Sequence, residues 1–186
     1  MTWVWIVLVV LVVIVGLWFA ATYNSLIRLR NIVEESWKQI DVELHRRYDL
    51  IPNLVETVKG YASHERGTFE AVTQARAAAS TPGSTPAEQA QQENMLTGAL
   101  RQLFAVAEAY PDLKANQNFL ELQKQLTETE DRIAAGRRFY NANVRAFNTK
   151  IQSVPSNLVA NMFSFKEAEY FEVDDPNIRS APQVQF

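Results

Sequence analysis

Strongly apolar, uncharged residues fill the start of the chain without a break from residue 3 to residue 21, WVWIVLVVLVVIVGLWFAA. At a helical rise of about 1.5 Å per residue, this run matches the roughly 30 Å hydrocarbon core of a bilayer. Tryptophans stand at both ends, Trp3 and Trp5 at one and Trp18 at the other, as in the aromatic belts of membrane proteins. The pattern predicts a transmembrane helix within residues 1–22.

A cleaved secretory signal is the alternative interpretation of this run. A signal needs a basic leading region, a shorter apolar stretch and small residues at a cleavage site. Only Met1 and Thr2 precede the run, neither is basic, and residues 20–22 make a poor cleavage pattern. We therefore expect the run to stay in the protein as an anchor.

Basic residues follow the run but do not precede it. Arg28, Arg30 and Lys38 come soon after, and the basic side of a membrane helix usually stays in the cytoplasm. The sequence therefore predicts a single-pass protein with its N-terminus outside and its body in the cytoplasm.

Beyond the anchor, apolar residues recur at spacings of three and four, which is typical of one helical face. The first such stripe is Leu26, Leu29, Val33, Trp37, Ile40, Leu44, Tyr48 and Ile51. Because no cap or breaker precedes it, we expect the membrane helix to continue into this amphipathic one. Pro52 removes a backbone donor, so the helix either restarts there with Asp49 as its cap or kinks.

Capping residues and prolines divide the rest of the body. Thr85 and Glu88 form a capping box with Pro86 at the first helical position, which predicts that a helix begins at Pro86. Pro111 is expected to end it. Asn116 or Asn118 can cap the last long helix, whose apolar stripe is Phe119, Leu122, Leu126, Thr129, Ile133, Arg137, Tyr140, Val144, Phe147 and Ile151. Gly136 beside this stripe can permit the close approach of another helix, and Pro155 is expected to stop the helix.

These elements predict an all-α protein. An N-terminal transmembrane helix (residues 1–22) continues into a long antiparallel four-helix bundle (residues 23–165), followed by a short, extended C-terminal tail (residues 166–186). The regular three-four spacing favours shallow crossings like those of coiled coils. In the tail region, we expect residues 163–173 to fold back onto the bundle, whereas Val184 and Phe186 could dock on a neighbouring subunit or partner.

Composition and motifs argue against several function classes. The 18 basic and 21 acidic side chains nearly balance, which gives no support to nucleic-acid binding. The chain has no cysteine, and neither of its two histidines lies in the Glu-x-x-His pattern of di-metal bundles. Because no nucleophile motif or phosphate-binding glycine loop stands out, we expect no enzymatic activity, no catalytic residues, no metal and no cofactor.

Polar residues gather near Pro52 and along the last long helix. The candidate cluster is Arg47, Asp49, Asn53, Glu56, Glu130, Arg137, Asn141 and Arg145. Arg137 falls on the apolar stripe itself, where a buried arginine must be paired. Two interpretations remain open: a buried ion-pair network that fixes helix register, or a pocket for a small ligand or lipid headgroup.

Short segments in order along the chain carry a family resemblance. They include residues 47–55 (RYDLIPNLV), 96–100 (LTGAL), 110–116 (YPDLKAN), 129–133 (TEDRI) and 138–141 (RFYN). Through them the chain resembles the LemA family of bacterial membrane proteins over nearly its whole length. The resemblance implies one N-terminal membrane helix, an N-out and C-in topology and a long four-helix bundle, but no reaction. Related proteins of magnetosome-forming bacteria suggest a role in organising membranes.

We therefore expect a membrane-anchored, self-associating scaffold or interaction protein in the bacterial inner membrane. Its partners would be the bilayer, further copies of itself and membrane-associated proteins. The alternative is a ligand-binding or lipid-headgroup-binding module, with or without catalysis, that uses the polar cluster.

Overall fold

The structure is a computed structural model that describes residues 2–173, and these residues contain six helices and no strand. In chain order the helices are α1 (Thr2–Lys59), α2 (Arg66–Ala79), α3 (Pro86–Glu108), α4 (Pro111–Lys114), α5 (Gln117–Gln152) and α6 (Ser156–Met162). The all-helical expectation is confirmed for this part of the chain. Val184 and Phe186, which could dock on a neighbouring subunit or partner, lie outside the described residues.

The chain divides into two compact units. Among the described residues, the first unit comprises residues 2–40 and 136–169, and therefore holds the start of α1, the end of α5 and α6. The second unit comprises residues 41–135 and 170–173, with the end of α1, the helices α2 to α4 and the start of α5.

In the first unit, the apolar start of α1 is largely exposed up to Trp18, and Phe19 near its end packs against Phe163. Trp3, Leu11 and Leu17 are 77, 59 and 66% exposed, and α1 is long and apolar enough to cross a membrane. Burial begins at Thr22, and Leu26 is the first buried apolar side chain. The core of this unit consists of Leu26, Val33, Ile40, Tyr140, Val144, Phe147, Ile151, Val159 and Ala160. The expectation that the apolar run and the amphipathic stripe share one helix is confirmed.

The two long helices approach closely at Gly136. A Cβ atom built on Gly136 would lie 3.1 Å from Cγ1 of Ile40, a contact tighter than side chains normally make. Ile40 is only 1% exposed and has little room to move. The expected close approach at this glycine is confirmed.

The chain turns back after α6 through Ser164. The N–H of Phe165 donates to the carbonyl of Ala160, and the N–H of Ser164 donates to that of Asn161, which is the Schellman pattern of helix ends. Ser164 takes the left-handed φ of 54° that this pattern requires. The turn brings the rings of Phe163 and Phe165 to 4.5 and 6.0 Å from that of Tyr23.

The segment after this turn lies along α5. The side chain of Asn148 both donates to the carbonyl of Ala168 and accepts from its N–H, each at 2.9 Å. The hydroxyl of Tyr140 donates to the carbonyl of Glu169 at 2.8 Å. Burial, with the nearby Glu169 carboxylate, raises the pKa of Tyr140 to about 12. Within the first unit, the expected fold-back is confirmed.

In the second unit, α1 continues through Pro52 although proline cannot donate a backbone hydrogen bond. The carbonyl that loses its donor is that of Tyr48, four residues earlier. Nε of Arg76 on α2 donates to this oxygen at 2.7 Å. The helix therefore stays intact, and the predicted alternative of a restart capped by Asp49 is wrong.

Most predicted helix ends agree with the structure. The capping box of Thr85 and Glu88 is present at the start of α3. Of the two candidate caps for α5, Asn116 is the one used, since its Oδ1 accepts from the N–H of Phe119 at 3.0 Å. Pro111, expected only to end a helix, begins the short α4 because a proline fits the first helical position.

Candidate functional site

Arg47 lies inside the second unit, 2% exposed, on the same face of α1 as the buried Leu44 and Ile51. Its Nη1 donates to Oε2 of Glu93 at 2.9 Å, and its Nη2 donates to Oγ1 of Thr97 at 3.0 Å. Glu93 and Thr97 are one turn apart on α3 and so face the guanidinium together. This fork-shaped contact fixes α1 against α3.

A second carboxylate reaches the same guanidinium from α5. Nε of Arg47 lies 3.0 Å from Oε1 of Glu130, an ion pair without hydrogen-bond geometry. The side chain of Glu130 is 41% exposed, so this carboxylate stands between the interior and the solvent. Three helices of the second unit therefore meet at one positive charge.

The other oxygen of Glu93 is held by neutral partners. The hydroxyl of Tyr48 donates to Oε1 of Glu93, and Nε2 of Gln89 lies 3.0 Å from the same oxygen. Nε2 of Gln89 is also within 2.9 Å of the hydroxyl of Tyr48 and of the carbonyl of Ala79. Both oxygens of the buried carboxylate are thus engaged by protein donors.

Burial sets the protonation of the groups around Arg47. Burial, followed by the Glu93 carboxylate, raises the pKa of the Tyr48 phenol far above its usual range, so this group stays a neutral donor. Burial also raises the pKa of Glu130, and the charge of Arg47 only partly offsets this effect. The cluster confronts one guanidinium with two carboxylates, and burial makes Glu130 easier to protonate than an ordinary glutamate.

The structure brings together two of the eight residues of the predicted cluster, Arg47 and Glu130. Asp49, Asn53 and Glu56 lie on the exposed side of α1, where Glu56 pairs with Lys59 at 3.1 Å. The remaining three belong to the first unit, where Arg137 and Asn141 are half-buried and Arg145 is exposed.

The predicted cluster did not include Glu93, Gln89, Thr97 and Tyr48. A signal for two of them was present: the leucine stripe of α3, continued backwards from Leu100 and Leu96 at the same spacing, reaches Glu93 and then Gln89. Polar residues on an apolar stripe are buried with it and must find partners there.

No group of three or more His, Asp or Glu side chains in residues 2–173 is placed to hold a metal ion. His45 lies 3.4 Å from the carboxylate of Asp41, one turn earlier on the exposed face of α1. This is a pair of side chains one turn apart on a helix surface.

Comparison with known proteins places the chain in a family. The family model described as the LemA family matches residues 36–186, most of the chain. The chain belongs to the LemA family. Protein LemA of Metamycoplasma hominis is 30% identical to this LemA-family chain, and the match covers 84% of this chain and 75% of that protein.

Magnetosome proteins are also similar to this LemA-family protein. Magnetosome protein MamQ 2 of Paramagnetospirillum magneticum is 28% identical over 81% of the chain, and Magnetosome protein MamQ of Magnetospirillum gryphiswaldense is 25% identical over 80%. The chain spans 64% of the length of each. With the long apolar helix at the N-terminus, these relationships indicate a membrane-associated protein whose biochemical function is not defined.

Proposed function

We propose that this LemA-family protein is a membrane-anchored, self-associating helical scaffold of the bacterial inner membrane, without enzymatic activity. The observation that carries the proposal is α1, in which an exposed apolar run and a buried amphipathic stripe belong to one helix. In such a helix, the apolar run anchors the protein and the amphipathic part contributes to the core. The Arg47 cluster supports a structural role, because its buried carboxylate is engaged by protein donors on both oxygens.

The architecture that we propose for the scaffold is an antiparallel four-helix bundle of α1, α2, α3 and α5. In the first unit, Trp37 packs on Tyr140 with ring centroids 5.3 Å apart, while Ile40, further along α1, meets Gly136, earlier on α5. In the second unit the same order holds, since Glu43 pairs with Arg132 and Arg47 with Glu130. In both units, residue numbers therefore fall along α5 as they rise along α1.

Lateral self-association follows from the anchor. Helices confined to one bilayer meet at high effective concentration and in a shared orientation, so weak contacts between bundles suffice for assembly. We infer that further partners are membrane-associated proteins that meet the bundle at the same surface.

The mass of the full-length protein in mild detergent tests this assembly. We expect a defined multimer by light scattering, and matching cross-linked species when intact membranes are treated before extraction. A tenfold excess of detergent is the control, because chance sharing of micelles disappears on dilution. A strictly monomeric protein in both preparations would contradict the scaffold.

We also propose that the N-terminus is outside and the bundle is in the cytoplasm. Arg28 and Arg30 follow the apolar run, which supports this orientation. Because the chain has no cysteine, single cysteines report its topology directly. An impermeant maleimide added to spheroplasts should label Thr2→Cys, and should label Ala142→Cys, on the exposed side of α5, only after permeabilisation. The reverse pattern would overturn the orientation.

A second candidate function rests on Glu130. Its partly exposed carboxylate has a raised pKa beside a buried arginine, a combination that also occurs in binding sites. Under this alternative, soluble headgroups such as phosphocholine or phosphoethanolamine would raise the melting temperature of the wild type but not of Glu130→Gln. An equal melting temperature with and without each headgroup would leave the scaffold as the better account.

A further inference from the structure

Four apolar side chains at the end of the first unit are largely exposed. Leu158 and Met162 lie one turn apart on α6, Val154 stands in the turn before the helix, and Phe163 follows its last residue. Val154, Leu158, Met162 and Phe163 are 81, 65, 68 and 47% exposed, respectively. The opposite face of α6 is buried through Ser156, Val159 and Ala160, so α6 is fixed on the bundle while its apolar face points outward. We call these four side chains the α6 patch.

The α6 patch meets the membrane end of α1 through Phe163. The ring of Phe163 lies 5.9 Å from that of Phe19 and 4.5 Å from that of Tyr23. Phe19 belongs to the apolar run, and Tyr23 follows it by two residues. A side chain in contact with both is therefore at the depth where the run leaves the hydrocarbon core.

Further side chains near this point have the composition of a membrane interface. Phe165 packs against Tyr23, and the guanidinium of Arg30 lies 5.8 Å from the ring of Phe165. Aromatic rings and basic groups at such a position are typical of the boundary between headgroups and acyl chains. The surroundings of the α6 patch thus match a bilayer surface.

We propose that the α6 patch inserts into the membrane leaflet from which α1 emerges, as a second membrane contact of the first unit. The occupant is the lipid bilayer: the four side chains enter the headgroup and acyl-chain boundary as the apolar face of an interfacial helix does. A helix as short as α6 would bind a membrane weakly alone, but α1 already holds it at the surface and lowers the cost of the second contact. This contact fixes the rotation of the first unit about the axis of α1.

The proposal rests on α1 crossing the membrane, and the test examines both claims separately. Single cysteines are introduced into the cysteine-free full-length chain as Leu158→Cys, Met162→Cys, Leu11→Cys and Ala142→Cys. Leu158 and Met162 are exposed, so their labelling leaves the core intact, and circular dichroism checks this. Each variant is spin-labelled and reconstituted into phosphatidylcholine vesicles. The accessibility of each spin label to two relaxation agents is then measured. Oxygen partitions into lipid, whereas a nickel chelate stays in water.

We expect the ratio of oxygen to nickel accessibility at positions 158 and 162 to be several-fold higher than at position 142, and closer to that at position 11. A lipid signature at position 11 with a water signature at positions 158 and 162 would overturn the α6 contact and leave the anchor intact. A water signature at position 11 would remove the anchor itself.

Two further results would also overturn the proposal. Exclusion of both agents at positions 158 and 162, with spin-spin broadening, would show that a second copy of the chain covers the patch. Loss of the lipid signature in high salt would show that basic side chains, not the apolar patch, hold this surface. Persistence in high salt and in uncharged lipid supports the apolar contact.

Discussion

Arg47 is the residue on which the buried polar groups of the second unit converge. It compensates the charge of Glu93, which is only 2% exposed and otherwise has the neutral partners Tyr48 and Gln89. A buried ion pair contributes little net stability over apolar residues of the same size, but the loss of one partner leaves a charge stranded. We therefore infer that Arg47 favours one helix register over its alternatives.

Replacing Arg47 tests this role. Arg47→Met should cost about 3–5 kcal/mol, because the Glu93 carboxylate stays buried without its cation. The double variant Arg47→Met with Glu93→Gln should recover most of that loss. Thermal unfolding of the full-length protein in mild detergent, followed by circular dichroism, measures both. A double variant no more stable than the single one would contradict the stranded-charge explanation.

Glu130 gives the cluster a dependence on pH. Its pKa is raised in the folded protein by burial, so the folded state binds a proton more readily than the unfolded chain. Between the ordinary glutamate pKa and the raised one, Glu130 therefore adds stability as the pH falls. The melting temperature of the wild type should rise relative to that of Glu130→Gln as the pH is lowered from 7 towards 5. A constant difference between the two proteins would show that Glu130 does not titrate abnormally.

The sequence predicted the residues of this cluster only in part. Arg47 and Glu130 stood out as charged residues within recognisable segments. Glu93 pairs with a residue 46 positions away, and that partnership depends on how α3 packs against α1. Helical periodicity shows which residues face inward, but not which inward residues of different helices meet.

At the scale of the helix, Pro52 and Arg76 act together at the carbonyl of Tyr48. The sequence around either residue does not predict this contact. Proline removes the donor to the carbonyl of Tyr48, and Arg76 replaces that donor from α2. In an ordinary helical turn, a backbone N–H would donate a hydrogen bond to this carbonyl. The charged side chain of Arg76 supplies that hydrogen bond instead. The continuity of α1 in the second unit depends on this contact.

A double-mutant cycle tests the exchange of donors. Arg76→Leu alone should destabilise the protein by about 1–3 kcal/mol, since it leaves a carbonyl without a donor. In a Pro52→Ala background the helix supplies its own N–H, so the same Arg76→Leu change should cost much less. Urea unfolding in mild detergent gives the four free energies. Equal costs of Arg76→Leu in both backgrounds would show that the arginine acts elsewhere.

Helix ends were the most predictable features at this scale. The caps of α3 and α5 bind backbone N–H groups only a few residues away, so a short stretch of sequence is enough to predict them. These caps are Thr85 with Glu88, and Asn116. The continuation of α1 through Pro52 was not predictable, because the group that permits it comes from another helix. The end of α3 before Pro111 agrees with the prediction, but the start of α4 at Pro111 was not foreseen, although a proline also fits the first position of a helix.

At the scale of the whole molecule, α1 combines an apolar run long enough to cross a membrane with part of the helical core. The apolar run was evident from the sequence because a bilayer demands length and composition, both of which are local properties. The division into two compact units was not, since it arises from contacts between distant segments. Similar chains occur among LemA and magnetosome proteins. The proposed scaffold function follows from the anchor.

Extraction of membranes at alkaline pH tests the anchor most directly. The full-length chain should stay with the membrane pellet, and so should Val42→Arg, a change at an exposed valine of α1 outside the apolar run. Val9→Arg with Val12→Arg, at two valines of similar exposure inside the run, should move the protein to the supernatant, because each arginine at the centre of a membrane helix costs about 2.5–3.5 kcal/mol. A wild-type chain found in the supernatant would contradict the anchor and the scaffold built on it.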